Sequence, residues 1–273
     1  MKLKYTIKKI CPPFILQPLL VVFRKCRETK YVVDMRLFPN KMKRFCPCCG
    51  MRIRSFVVGD YYLNHPEKFD IRRYKNTQQA VLCPVCWSLP RHRILASWFN
   101  KHKRFLQSSD ILYFAPEKSM ELWLNRNKVS CVTADLYREV DLRLDIQNTG
   151  LPAESYDIIV CNHVLEHVDD FRMALKEMYR ILRYKGSFIC SFPMDPRIDT
   201  LDEDVSVQSD EERRLRFGQH DHKRVFGMNA EIFLKQAGFK VQRINGESFP
   251  NEILPVVGPA DYDMNCLFRC VKC

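Results

Sequence analysis

Short runs of β-branched and apolar residues, each closing on a polar side chain, recur through the middle of the chain. Residues 110–115, 129–134, 142–145 and 156–161 read as four such strands. Between and after them the apolar positions shift to helical spacing. Residues 117–126 form one predicted helix, and 169–184 another, with Phe171, Ala174, Leu175, Met178, Ile181 and Leu182 on one face and Gly186 as its stop. A fifth strand over 186–193, a helix opening near Asn229 and closing at Gly238, and strands at 239–244 and 265–272 complete the pattern. Strands alternating with helices predict an α/β fold, a parallel sheet with helices on both faces. Ahead of it, 88–106 reads as a connecting helix, with Ser88 as cap, Pro90 in its first turn and a core stripe of Ile94, Leu95, Trp98 and Phe99. Arg91, His92 and Arg93 read as its solvated face, with contact to a substrate phosphate as the alternative.

The polar residues that end the strands carry the chemistry. In an open parallel sheet, ligands sit beyond the carboxyl ends of the strands. Asp135, Asp145 and Asn162 all fall there. One such acid is most simply a cap or a turn residue, but three in register predict a bound nucleoside. Asp135 would accept from ribose hydroxyls, Asp145 from an exocyclic amine with Ile146 over the ring, and Asn162 and His163 would face the second substrate.

The segments DILYFAPE (110–117), TADL (133–136), LDI (144–146), YDIIVCNHVLEHV (156–168) and FGQHDHKRVFG (217–227) resemble the class I S-adenosylmethionine (SAM)-dependent methyltransferases. More narrowly, they are similar to a bacterial, type 11-like branch with a cysteine-paired zinc module ahead of the catalytic domain. The resemblance spans roughly residues 45–273 and implies a Rossmann-like sheet. It also implies cofactor contacts at Phe114, Ala115, Glu117, Asp135, Leu136, Asp145, Ile146, Asn162 and His163. The chain departs from the wider family after the first strand, where Ala115, Pro116 and Glu117 stand in place of a glycine-rich turn. Glycine there permits positive φ and close backbone approach. The narrower branch has a proline and an acid at these positions, so Glu117 either meets the amino group of the methionine moiety or caps the helix 117–126.

Thirteen cysteines without an export signal point to a reducing compartment and to metal rather than disulfides. Cys46 with Cys49 and Cys83 with Cys86 form two knuckles of the spacing that lets paired thiolates hold one tetrahedral ion. We expect a structural Zn2+ in a zinc-ribbon-like module over 45–88, with strands in 52–58 and 81–83 and Cys48 as an alternative ligand. Cys131, Cys161, Cys190, Cys266, Cys270 and Cys273 read as small buried hydrophobes.

The formal charge of +12 is unevenly placed. Residues 1–44 hold twelve Lys or Arg against Glu28 and Asp34, which accounts for +10 of the +12. Within this leader an apolar run, 10–23, lies between basic flanks. It is too short to span a bilayer and is broken by Pro12, Pro13 and Pro18. It predicts either peripheral contact with a membrane surface through residues 1–27, with Phe14, Leu19, Leu20 and Phe23 at the interface, or an arm packed on the catalytic domain. A cytoplasmic protein, peripheral at the inner face of the membrane in the first case, follows.

The remaining domain, 107–273, carries one polar stretch the fold does not require, 194–227, placed to act as a lid. Its His220 or His222, oriented by Asp221, is the expected base for an acceptor hydroxyl. His163, Glu166 and His167 form a second cluster, with capping of the next helix as the other role for Glu166 and His167. The leading function is methyl transfer to a hydroxyl or amine of a small-molecule or glycan acceptor in surface polysaccharide assembly. The alternatives are an RNA methyltransferase gripping phosphates with the zinc module and leader, disfavoured by the near-neutral remainder, and a non-catalytic zinc scaffold.

Overall fold

The computed structural model describes Thr29, Val33 and residues 37–58, 80–254 and 266–273. The apolar run of the leader lies outside the described residues. Among those described, no helix is long and apolar enough to cross a membrane.

Two small antiparallel pairs open the chain, β1 (Arg44–Cys46) with β2 (Met51–Ile53) and β3 (Val57–Val58) with β4 (Ala80–Leu82). Helices α1 (Pro90–Lys101) and α2 (Lys103–Gln107) follow. The predicted helix 88–106 is therefore broken at His102, whose ring stacks back on Trp98 with centroids 4.0 Å apart. Then come β5 (Ile111–Phe114), α3 (Lys118–Asn127), β6 (Val132–Asp135), β7 (Leu142–Arg143), β8 (Tyr156–Asn162), α4 (Phe171–Ile181) and β9 (Leu182–Ser191). The chain continues through β10 (Leu201–Glu203), α5 (Asp210–Phe217), β11 (Arg224–Phe226), α6 (Glu231–Gln236), β12 (Phe239–Ile244) and β13 (Leu267–Lys272).

Seven strands form one sheet in the order β12-β13-β9-β8-β5-β6-β7. All pairings are parallel except those of β13. The runs inside it are apolar on both faces because both faces are covered. Ile111, Tyr113, Ile158 and Val160 pack with Trp98, Phe99, Met120 and Trp123 of α1 and α3, while the alternate residues Leu112, Phe114, Ile159 and Cys161 pack with Phe171, Leu175 and Met178 of α4 and Leu234 of α6. This is the expected Rossmann-like α/β sheet. The order turns back between β5 and β8, and ligands of such sheets bind in the crevice at that point.

Several expectations need correction. α4 ends at Ile181, not Gly186. Leu182 is already extended and fully buried against the partner strand, so pairing of Tyr156 with Leu182 overrides helical propagation. Gly186 sits inside β9, where an added Cβ would meet the carbonyls of Arg183 and Asp157 at 2.8 and 2.9 Å. Asp170 caps α4, accepting from the N–H groups of Arg172 and Met173 at 2.9 and 3.0 Å, and so displaces Glu166 and His167 from that role. Cys161, Cys190, Cys266 and Cys270 are buried and Cys131 is partly so, but Cys273 is exposed just beyond β13.

The stretch 194–227 is an ordered excursion. β10 pairs antiparallel with β11, and α5 between them is closed by a capping box in which Ser209 and Glu212 exchange hydrogen bonds. Apolar packing by Met194, Phe217 and Phe226 holds it, which the polar sequence 202–214 concealed.

Glu177 on α4 tests the electrostatics of the far side of the sheet. Its carboxylate accepts from the Thr149 backbone N–H at 3.0 Å, the Thr149 hydroxyl at 2.5 Å and Arg180 at 2.7 Å, and the Arg180 bond leads the groups that hold its pKa down at about 2. A depressed carboxylate contributes stability above its ordinary pKa of 4.5 and loses it as pH falls toward 2. Glu177→Gln is therefore expected to cost about 1–2 kcal/mol at neutral pH. In urea titrations that difference from wild type should vanish on acidification across this window.

Candidate active site and cysteine centre

The crevice is built from the ends of β5, β6 and β8. After β5 the backbone turns through Ala115, whose φ of +48° is the left-handed conformation that glycine adopts without strain. An L-residue pays roughly 1–2 kcal/mol for this. The Ala115 N–H donates to the Ala134 carbonyl at 2.8 Å, which fixes the turn against β6.

Glu117 then occupies the N-cap position of α3, yet its side chain makes no cap hydrogen bond, so the capping alternative fails. Its carboxylate instead accepts from the Tyr113 hydroxyl at 2.7 Å and lies 3.4 Å from His92 Nε2. Burial would raise the Glu117 pKa, but His92, Arg91 and the Tyr113 hydroxyl together hold it down at about 2. Its Oε1 is buried and accepts no hydrogen bond. Tyr113 in turn accepts from Asn162 Nδ2 at 3.3 Å, and Asn162 Oδ1 accepts from Ser191 at 2.9 Å. One polar chain thus runs from α1 across the ends of β5, β8 and β9.

His92 and Arg93 are buried, not on a solvated face. His92 Nδ1 contacts the Ser119 hydroxyl at 2.9 Å, and burial pushes its pKa down. Sequence reasoning passed over it although position 92 shares the helical register of Leu95, Ala96 and Phe99, the signal that it faces inward.

Asp135 Oδ1 accepts from the N–H groups of Tyr137 and Arg138 at 2.8 and 3.0 Å, which turns the chain just beyond β6. Asp145 accepts from the Gln147 N–H at 2.8 Å, with Ile146 buried beside it. Phe114 is buried, whereas Leu136 is exposed at the mouth of the crevice. His163 follows Asn162 with φ of +52°, its N–H donating to the Ser191 carbonyl at 2.8 Å and its Nδ1 3.3 Å from Glu166 Oε1.

The three residues expected to handle the acceptor proton separate. His220 points to Asp210 of α5, at 3.9 Å. Asp221 orients neither neighbouring histidine. It accepts from Gln219 Nε2 at 2.8 Å and faces His167 Nδ1 at 3.4 Å. His222 is buried edge-on against His167, with ring centroids 4.8 Å apart. His222 and Asp221 therefore join His163, Glu166 and His167 in a single cluster beside the crevice.

Arg224 holds this arrangement together. Its buried guanidinium donates to the carbonyls of Leu165, Val168 and Asp169 at 2.7, 2.6 and 2.8 Å and pairs with Glu203 at 2.5 Å. The excursion is thereby fastened to the loop that carries Glu166 and His167.

The second candidate centre lies in front of the sheet. The sulfur atoms of Cys46, Cys49, Cys83 and Cys86 all lie within 4.8 Å of one another, with Cys46 to Cys86 at 3.6 Å and Cys49 to Cys83 at 3.8 Å. Four thiolates about 2.3 Å from a central ion stand roughly 3.8 Å apart, so the donor set fits a tetrahedral metal. Each knuckle closes on a left-handed residue, Gly50 at +71° and Trp87 at +63°, whose N–H donates back to Cys46 and Cys83 respectively. Cys48 stays outside the group, fully buried, and burial pushes its thiol pKa up. Ser88 does not cap α1. Its hydroxyl lies 3.1 Å from Cys46 Sγ. Arg93 reaches the same region, donating to the carbonyls of Ile253, Val81 and Ser88 at 2.6, 2.9 and 2.7 Å, and sets a buried positive charge beside the sulfurs.

Residues 119–190 match the family model described as methyltransferase domain. The matched stretch runs from α3 into β9, the part of the chain that carries the strand-end crevice. The match begins just beyond the Ala115–Glu117 turn. Among solved structures, similarity extends to a SAM-dependent methyltransferase from Archaeoglobus fulgidus (11% identity, 66% of this chain and 94% of that one, TM-score 0.43). It extends equally to a SAM-dependent methyltransferase from Mesorhizobium loti (14%, 64% and 98%, TM-score 0.45). A third is 1,6-didemethyltoxoflavin-N1-methyltransferase from Burkholderia thailandensis, solved with S-adenosylhomocysteine (14%, 67% and 76%, TM-score 0.43). No curated protein matches the chain.

The Arg224 clamp yields a direct expectation. Arg224→Met leaves the carbonyls of Leu165, Val168 and Asp169 without their donor while Glu203 keeps Arg172 at 3.2 Å, and should cost about 2–4 kcal/mol in denaturant unfolding. Faster amide exchange should appear in 194–227 and 165–169 together.

Proposed function

We propose that the protein transfers a methyl group from SAM to a hydroxyl or amine of a small-molecule or glycan acceptor. The observation that carries the reading is the Glu117 carboxylate, ionised, with a buried Oε1 that accepts no hydrogen bond and has only the 3.4 Å contact of His92 Nε2, at the point where the strand order reverses. A buried charge left half-satisfied is costly unless a ligand completes it. A cationic amino group would do so.

SAM supplies a methyl group on a positively charged sulfur, already activated for displacement. In this reading Glu117 binds the amino group of the methionine moiety, with Tyr113 and His92 holding the carboxylate in place. Asp135 has one oxygen committed to its own turn and offers the other to ribose hydroxyls. Asp145 and Ile146 bracket the adenine, and Phe114, Ala115 and Leu136 line the approach. Asn162 and His163 face the acceptor, with His222 and Asp221 behind them, and His220 stands at the rim.

The near-neutral charge outside residues 1–44 favours a small or glycan acceptor over RNA. Surface polysaccharide assembly, and peripheral membrane contact through residues 1–27 at the inner face of the membrane, follow from the sequence resemblance and the basic, apolar leader. The four-cysteine centre is assigned to a structural Zn2+. Its ligand set has no open position, and the buried Arg93 offsets the negative charge of four thiolates around a divalent ion.

Calorimetric titration of SAM tests the cofactor reading. Wild type should bind, Asp135→Ala should lose the ribose contacts and bind at least tenfold more weakly, and Glu117→Gln should lose at least as much. Folded wild type that takes up no SAM would remove the enzyme reading. For the metal, one zinc per chain is expected by elemental analysis. Cys83→Ser should fail to retain it, and chelation should lower the melting temperature of wild type because metal affinity contributes to folding.

A further inference from the structure

Glu166 is the second carboxylate that the fold buries without completing it. It is 1% exposed, and neither of its oxygens accepts a hydrogen bond. Three imidazoles, those of His163, His167 and His222, act on it. His163 Nδ1 is 3.3 Å and His167 Nε2 3.8 Å from Oε1, and one donor atom each from Glu166, His167 and His222 lie within 4.8 Å of one another. Ligand atoms about 2.1 Å from a common ion stand roughly 3–3.5 Å apart, so rotations of about an ångström would close the set.

The tautomer of His167 fits the same purpose. Its Nδ1 faces the backbone carbonyl of Asp221 at 3.2 Å and the Asp221 carboxylate at 3.4 Å, which leaves Nε2 and its lone pair turned toward Glu166. A carboxylate behind an imidazole is the arrangement that orients metal-binding histidines. The support is rigid, since Arg224 holds the carbonyls on both sides of this loop and the Lys223 N–H donates to the Glu166 carbonyl at 2.9 Å. The nearby positive charge of Arg224 is already matched by Glu203.

We propose that Glu166, His167 and His222 bind a divalent transition-metal ion, with Asp221 orienting His167 and His163 supporting Glu166. Two imidazoles and one carboxylate leave coordination positions open, unlike the closed cysteine centre. The site adjoins His163 and Asn162, on the acceptor side of the crevice. Given the methyltransferase reading, an open position there would hold an acceptor oxygen and favour its deprotonated form. The ion site itself does not depend on that reading.

The test uses full-length protein carrying one equivalent of zinc, titrated with Co2+ in the absence of SAM. One further equivalent should bind, with visible d–d bands and no thiolate-to-cobalt charge-transfer band. Glu166→Gln and His222→Gln should each weaken that binding at least tenfold, and Asp221→Asn should weaken it less. Cobalt should raise the melting temperature of wild type and leave that of Glu166→Gln unchanged. The proposal is overturned if wild type takes up no second equivalent, if the bands carry the thiolate signature of exchange at the cysteine centre, or if folded Glu166→Gln binds cobalt as wild type does. Loss of SAM binding leaves the cobalt result unchanged, so the two readings fail separately.

Discussion

A guanidinium taken out of water has to find oxygen partners for its N–H groups, and that requirement fixes both peripheral pieces of this protein. Arg93 finds them for Nε and Nη1, though not for Nη2, on the carbonyls of Ile253, Val81 and Ser88, tying together the cysteine module, the first long helix and the segment before the last strand. Arg224 finds them on the carbonyls of Leu165, Val168 and Asp169 and on Glu203, tying the 194–227 excursion to the loop after β8. Breaking either set would strand several buried polar groups at once, and such losses are far larger than those of surface ion pairs. The sheet provides the platform. The two arginines decide what stands on it.

The cysteine module is consequently not an appendage. Cys46, Cys49, Ile53 and Phe56 share one buried cluster with Ile94, Trp98 and Trp123, which face the sheet, and with Tyr113 of β5. Arg126 of α3 donates to the Cys48 carbonyl at 3.2 Å and fills the space above Gly50, where an added Cβ would meet it at 2.0 Å. The adjacent residues His92 and Arg93 divide their attention. One faces Glu117 in the crevice and the other the sulfurs, so α1 is the common wall of both centres.

Much of this was legible in the sequence, for identifiable reasons. Apolar runs buried on both faces announced β5, β8 and β9, and the antiparallel strand 239–244 was located to the residue. Two-residue cysteine spacing revealed the thiol cluster because knuckle geometry is local. What escaped was set by distant partners. The end of α4 depends on pairing between Leu182 and Tyr156, and the burial of His92 and Arg93 depends on Glu117 and on residues near 253. The assembly of His222 with Glu166 depends on a clamp 58 positions downstream of that acid, at Arg224. No local pattern in DEDVSVQSDEERR (202–214) signals that clamp.

The turn after β5 shows what the absence of glycine does. A glycine at position 115 would visit many backbone conformations before a ligand arrived and would give them up on binding. Alanine held at a positive φ by its bond to Ala134, followed by a proline with its own restricted φ, has few left to lose. The conformational cost is met when the chain folds rather than when it binds. The crevice is therefore preorganised, a shape kept at the expense of global stability and returned as affinity.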